Sequence, residues 1–285
     1  MNKMYHVFNE GDNVLFRDNS DYIFFNNKFA SSCYTYQLLP LAETTMSTHF
    51  HSLIEVADET VIEKFILKLK KAYSMYYAAK YGFTVGSSIK ISKLEISGRE
   101  SIMNELLYVM KNPVHHYVCA YPLEYPYSTA PYMFMEKLMP PHFAEIIKTN
   151  FMKFGELATR QKRQLVGTDV IPDSWLIFNG CMIMPSSYLN LNKAKAFWNN
   201  NVKSFMFDMN RTNCDANRET ISADVLDLRT SGMTDMEVCG IIDKFCSSTA
   251  AKSFHFFESH DRSHILNVLK QKALPPEQIR RCLWV

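Results

Sequence analysis

Asp58 and Gly82 bracket a long stretch of helical period, and the segments on either side of it alternate apolar and polar residues with a period of two. That succession constrains the first half of the chain more than any other feature. Asp58 is placed to cap a helix over Glu59–Tyr81, Val61, Ile62, Phe65, Ile66 and Leu69 form its apolar face, and Gly82 stands at the C′ position where a left-handed residue ends a helix. Before it, Met4–Asn9 reads as a strand closed by the turn residues Glu10-Gly11-Asp12-Asn13. Asp18 or Ser20 then caps a helix to about Cys33, with Tyr22, Phe25 and Phe29 at helical spacing. Tyr34–Glu43 and His49–Val56 read as two strands of an antiparallel hairpin joined by residues 44–48. After it, Ile89–Ile96 alternates as a strand with one wet face, and Gly98-Arg99-Glu100-Ser101 opens a helix through Ile102 and Leu106 to Asn112, where Pro113 discourages continuation. The order β-α-β-β-α-β-α predicts an α+β fold, a ferredoxin-like antiparallel sheet with its helices packed on it.

From Tyr117 onward prolines and tyrosines cluster, which predicts an extended segment wrapping away from the sheet and a domain boundary near Glu136. Residues 1–135 are then one domain and 136–285 a mainly helical C-terminal domain. Helical patterns run over Phe143–Arg163, less regularly over Trp175–Tyr188, then over Leu191–Met206, Thr220–Thr230, Asp235–Ser247 and Asp261–Lys272, with a last helix started by Pro275 or Pro276. The α-turn-α stretches around Gly232 and Ala273 fit an ordinary helical bundle better than a DNA-reading motif.

The 285 residues carry a net charge of only +2, so a nucleic-acid surface has to be a local patch. The seven cysteines are scattered without Cys-x-x-Cys spacing, which argues for reduced core thiols. No apolar run approaches the ~20 residues that cross a bilayer, and the N-terminus lacks a signal-peptide pattern, so the expected location is the cytoplasm, with no membrane partner.

The chemistry centres on Thr48-His49-Phe50-His51-Ser52. Side chains alternate along a strand, so His49 and His51 share one face while Phe50 points to the other, an arrangement able to hold a metal ion. A His-x-His alone is common in sites of no function. Tyr108 and Asn112, four apart on a helix, also share a face. If that face lies over the histidines, a phenol and a third ligand join them. A phenol with a pKa of about 10 is a weak nucleophile at neutral pH, and a cation held by His49, His51 and Asn112 could offset the charge of a phosphodiester that Tyr108 attacks. By spacing alone, Tyr108 reads better as a partly buried core tyrosine on an amphipathic helix. His115-His116 is a second pair, but adjacent helical residues diverge. On the long helix, Lys64, Lys68 and Lys71, interleaved with tyrosines such as Tyr77, suit phosphate neutralisation and base stacking, as they also suit plain solvation.

Met4-Tyr5-His6-Val7, His49-Phe50-His51-Ser52-Leu53-Ile54, Leu107-Tyr108-Val109-Met110-Lys111-Asn112-Pro113-Val114 and Tyr125-Pro126-Tyr127-Ser128-Thr129 occur in an order that resembles the single-tyrosine HUH transposases, especially their REP-associated branch. The last two echo that family's Tyr-Ile-His-x-Asn-Pro-Val helix and Tyr-Pro-Trp-Ser-Ser tail. The resemblance covers roughly the first 135 residues. It implies a divalent ion, Mg²⁺ or Mn²⁺, on His49, His51 and Asn112, Tyr108 as nucleophile, and single-stranded or hairpin DNA as substrate. Where the family has Asn just before its histidine pair, this chain has Ser47-Thr48, and Ser88 to Ser97 lacks the family's Gly/Trp/Arg/Phe stretch. The expected function is DNA nicking and strand transfer. The rivals are a domesticated, non-catalytic DNA-binding protein and a metal hydrolase that uses the histidines without the tyrosine. A site complete in one chain and a site shared across a homodimer both fit the pattern.

Overall fold

In the computed structural model, which describes residues 2–86, 88–138, 150–211 and 232–285, β1 (Lys3–Glu10), β2 (Leu39–Thr45), β3 (Phe50–Val56) and β4 (Lys90–Ile96) form one antiparallel sheet in the order β2-β3-β1-β4. With α1 (Asn19–Thr35) and α2 (Glu59–Tyr81) between them, this is the ferredoxin-like arrangement that the sequence predicts. Asp18 caps α1 in a reciprocal box with Asp21, Asp58 caps α2, and Gly82 ends α2 at φ +81°. The second strand starts at Leu39 rather than Tyr34. The helical ladder of α1 reaches Tyr36, whose N–H bonds Ser32 O, and Gln37 then turns the chain at φ +54°.

The two sheet faces carry separate cores. Tyr5, Val7, Phe50 and Ile54 pack against α1 and α2, which bring Phe25, Phe29, Phe65 and Leu69. Met4, Leu41 and Leu53 point the other way, onto Leu106, Val109 and Met110 of α3 (Arg99–His115). α3 does not stop at Asn112 but runs through Pro113. A proline has no N–H for the carbonyl four residues earlier. Here that carbonyl, Val109 O, accepts the hydroxyl of Thr44 at 2.7 Å, so β2 supplies the missing donor and ties α3 to the sheet.

The segment after α3 does not wrap away. Tyr127 O accepts Thr45 N–H and Thr129 N–H donates to Glu43 O, each at 2.9 Å, while Ser128 bridges Thr44. These bonds cover the outer edge of β2, which otherwise presents unpaired backbone groups.

The second half is helical with a small antiparallel sheet that the sequence did not announce: β5 (Phe151–Lys153), β6 (Leu176–Phe178) and β7 (Met182–Ile183). Of the expected helix Phe143–Arg163, residues 143–149 lie outside the described residues and Thr159–Val166 is helical. The pattern over Leu191–Met206 divides into Leu191–Ala196 and Val202–Asn210, because Asn199 and Asn200 take positive φ. Thr220–Thr230 lies outside the described residues. Helices Asp235–Ser248, Ser259–Gln271 and Pro276–Leu283 stand where expected and enclose a third core that includes Val14 from the β1–α1 loop. All three cores join residues from before and after position 136. Arg17, buried, donates to Cys282 O and Asp243, each at 2.7 Å. No helix among the described residues is long and apolar enough to cross a membrane.

Candidate active site

α3 lies over β3, and the four residues singled out by spacing come together. His49, just before β3, places Nε2 3.1 Å from Asn112 Oδ1, and its Nδ1 is 2.8 Å from Thr48 Oγ1. The His49 and His51 ring centroids are 5.0 Å apart. Tyr108, half-buried, sets its ring edge-on to His51, centroid to centroid 5.1 Å at 82°. Asn112 is fully buried.

Three further residues complete the cluster. His6 of β1 pairs with Leu53 in the register and stands diagonal to His51, on the same face. Its Nε2 lies 2.9 Å from His51 Nδ1, and its Nδ1 lies 3.0 Å from Glu105 Oε1 on α3. His116, at the C-cap of α3, brings its ring within 4.9 Å of His49. Signals for these were present in the sequence. Glu105 precedes Tyr108 by three residues and so shares its face. His6 alternates with Tyr5 and Val7, which puts it on the α3 side once the sheet order is known. In the sequence His116 reads only as half of a diverging pair, although it follows Asn112 by four residues and so shares its face.

Burial controls the charge here. Desolvation lowers His6 to about 4, and desolvation together with the neighbouring His116 lowers His49 to about 3. His51 falls well below the ordinary histidine value for the same reason, with His49 and His6 adding to it. His6 is therefore neutral, and its contact with Glu105 is a hydrogen bond that Nδ1–H donates. His6 Nε2 is then the acceptor, and His51 Nδ1–H its donor, so the carboxylate fixes both tautomers and leaves Nε2 of His51 with its lone pair.

Neutral imidazoles are the form that binds metal. Asn112 Nδ2 is buried with no hydrogen-bond partner among the described residues, so the amide is only half satisfied. His49 Nε2 lies within hydrogen-bond distance of Asn112 Oδ1, so two atoms able to ligate an ion converge on one point. Among the described residues no group of three or more His, Cys, Asp and Glu is arranged to hold an ion. The potential donors gathered here are two imidazoles and a carboxamide.

The expected DNA contacts on α2 are not part of this cluster. α2 packs on the opposite sheet face, where Lys64 and Lys71 stand in solvent. Tyr77 is fully buried with its hydroxyl directed to Val14 O, so its ring is closed to a base. Lys68 is 2.6 Å from Asp169, a nearly buried carboxylate that also takes Ser31 and Lys28. Lys68→Ala is thus expected to lower stability by about 1 kcal/mol, read in a urea melt, and to leave the salt dependence of DNA binding unchanged. A flattened salt slope at unaltered stability would return Lys68 to the DNA surface.

No family model matches the sequence, and no curated protein does. Among solved structures, one of a REP-associated tyrosine transposase bound to a REP hairpin is similar at 14% identity and a TM-score of 0.40, covering 48% of this chain and 82% of that one.

Proposed function

We propose that this protein is a DNA-nicking and strand-transferring enzyme that acts on single-stranded or hairpin DNA through a covalent bond between Tyr108 and a 5′-phosphate. The observation that carries this reading is the placement of the Tyr108 ring beside His51, in one layer with His49 and Asn112. His49, His51 and Asn112 would hold a divalent ion, Mg²⁺ or Mn²⁺, which offsets the charge of the attacked phosphate. Tyr108 Oη forms the new bond to phosphorus in line with the P–O3′ bond, which breaks. The departing O3′ takes up a proton and becomes a free 3′-hydroxyl, and the phenol proton leaves by the solvent side of the half-buried ring. Attack by that hydroxyl, or another, on the phosphotyrosine reverses the step and rejoins a strand. Thr44 and Glu105 hold the helix and the imidazole layer in place for it.

The test is to incubate 3′-labelled single-stranded hairpin DNA with the protein and Mn²⁺ and to run a denaturing gel. Label linked to protein, lost on chelation, is the expected result. Cleaved label free of protein would mean ordinary hydrolysis, and binding without cleavage would leave a non-catalytic DNA-binding protein.

A further inference from the structure

A cavity of about 280 Å³ opens beside His49, between the end of the ferredoxin-like sheet and the C-terminal helices. Its site-side wall is Thr48, His49 and His116. A second wall is aromatic: Tyr22 and Tyr125 are buried, and Tyr127 stacks on Tyr22 with centroids 4.3 Å apart. The far end belongs to the C-terminal helices, with Asp235, Gln278 and Arg281, all buried. The mouth is rimmed by exposed Asn19, Val118 and Pro126.

The chemistry of the far end selects the occupant. Arg281 grips Asp235 through Nε and Nη2 at 3.1 and 2.8 Å, and Ser47 and Gln278 add further bonds to the same carboxylate. The charges cancel, so this end offers polarity without net charge and does not suit a phosphate. Gln278 Nε2 is spent on Met233 O and Asp235, while its Oε1 is buried with no donor among the described residues. A flat, neutral group with a hydrogen-bonding edge fits such a space. The volume, just below the ~300–1,000 Å³ of small-molecule pockets, accommodates one such group.

We infer that this cavity receives one unpaired nucleobase of the bound strand, next to the phosphate that Tyr108 attacks, so that the C-terminal helices read the DNA beside the cut. This rests on the DNA-cleaving reading of the neighbouring site. Aromatic walls accept any base face, and stacking of one base changes affinity by about 5- to 150-fold.

The probe is a hairpin with a single-stranded tail carrying one 2-aminopurine at successive positions, bound to the Tyr108→Phe protein so that no chemistry intervenes. One tail position is expected to change fluorescence sharply. Met236→Trp, which fills the cavity from helix Asp235–Ser248, should abolish that change and weaken binding at least about fivefold. Tyr127→Ala, which removes a wall without adding bulk, should act in the same direction, with thermal melts confirming both folds. A fluorescence pattern identical in all three proteins overturns the inference. Because the readout is binding, an intact pattern together with a wild-type protein that forms no adduct would refute the cleavage chemistry while keeping the cavity. An adduct formed with no position-specific signal would do the reverse.

Discussion

Tyr108→Phe is expected to abolish the protein–DNA adduct while leaving the fold and the DNA affinity in place. The substitution removes only Oη, and the Thr48 hydroxyl, which also stands beside an imidazole, is engaged with His49 Nδ1 at 2.8 Å. The ring keeps its edge-on contacts with His51 and His6, at 5.1 and 5.9 Å between centroids. Loss of one half-buried hydroxyl alters stability by about 1 kcal/mol, which a melting curve resolves from unfolding. The pair of readouts separates the mechanisms. If strands are still cut at the wild-type rate, water is the nucleophile and the histidines act alone. If the adduct persists, another side chain carries the phosphate. If the variant unfolds, Tyr108 was chiefly a packing residue, the alternative that helical spacing always left open.

How much of this was legible in the sequence depended on whether local signals sufficed. The periods of Glu59–Tyr81 and its flanking strands, with Asp58 and Gly82 as punctuation, fixed the ferredoxin-like order. The meeting of Tyr108 and Asn112 with the histidines needed one more fact, the seat of α3 over β3, which follows from apolar residues on both sheet faces. What failed was tertiary. Pro113 reads as a stop because its partner carbonyl is left bare, and only the structure shows Thr44 filling that bond. Tyr77 sits in a lysine-rich stretch but on the buried stripe, since its neighbours four and eight residues back, Tyr73 and Leu69, are core residues. The prolines and tyrosines after α3 look like a linker, yet their backbone pairs with the exposed edge of β2. His6 became a site residue through register alone, because β1 is the inner neighbour of β3.

Glu43 gives the second large expected effect, and it concerns stability. The carboxyl is buried on β2, where Tyr188 from the second half of the chain donates its hydroxyl to it. Burial raises it from 4.5 to about 8, and the Tyr188 bond only partly offsets this. The folded protein therefore keeps a proton that the unfolded chain releases once the pH passes about 4.5. Between those two values folding takes up a proton, so stability falls as pH rises, and the contribution is fully present only below pH 4.5. Each unit of separation is worth about 1.4 kcal/mol, so the loss by pH 8 is on the order of 4–5 kcal/mol. Glu43→Gln keeps the shape and the acceptor for Tyr188 but carries no titrating proton. Its urea-melt stability should be close to that of the wild type near pH 5 and should exceed it by several kcal/mol at pH 8. The difference should level off above that, where the folded carboxyl ionises as well. Parallel stability curves from pH 5 to 8 would show that Glu43 is ionised in the folded protein and that the Tyr188 bond holds a carboxylate there.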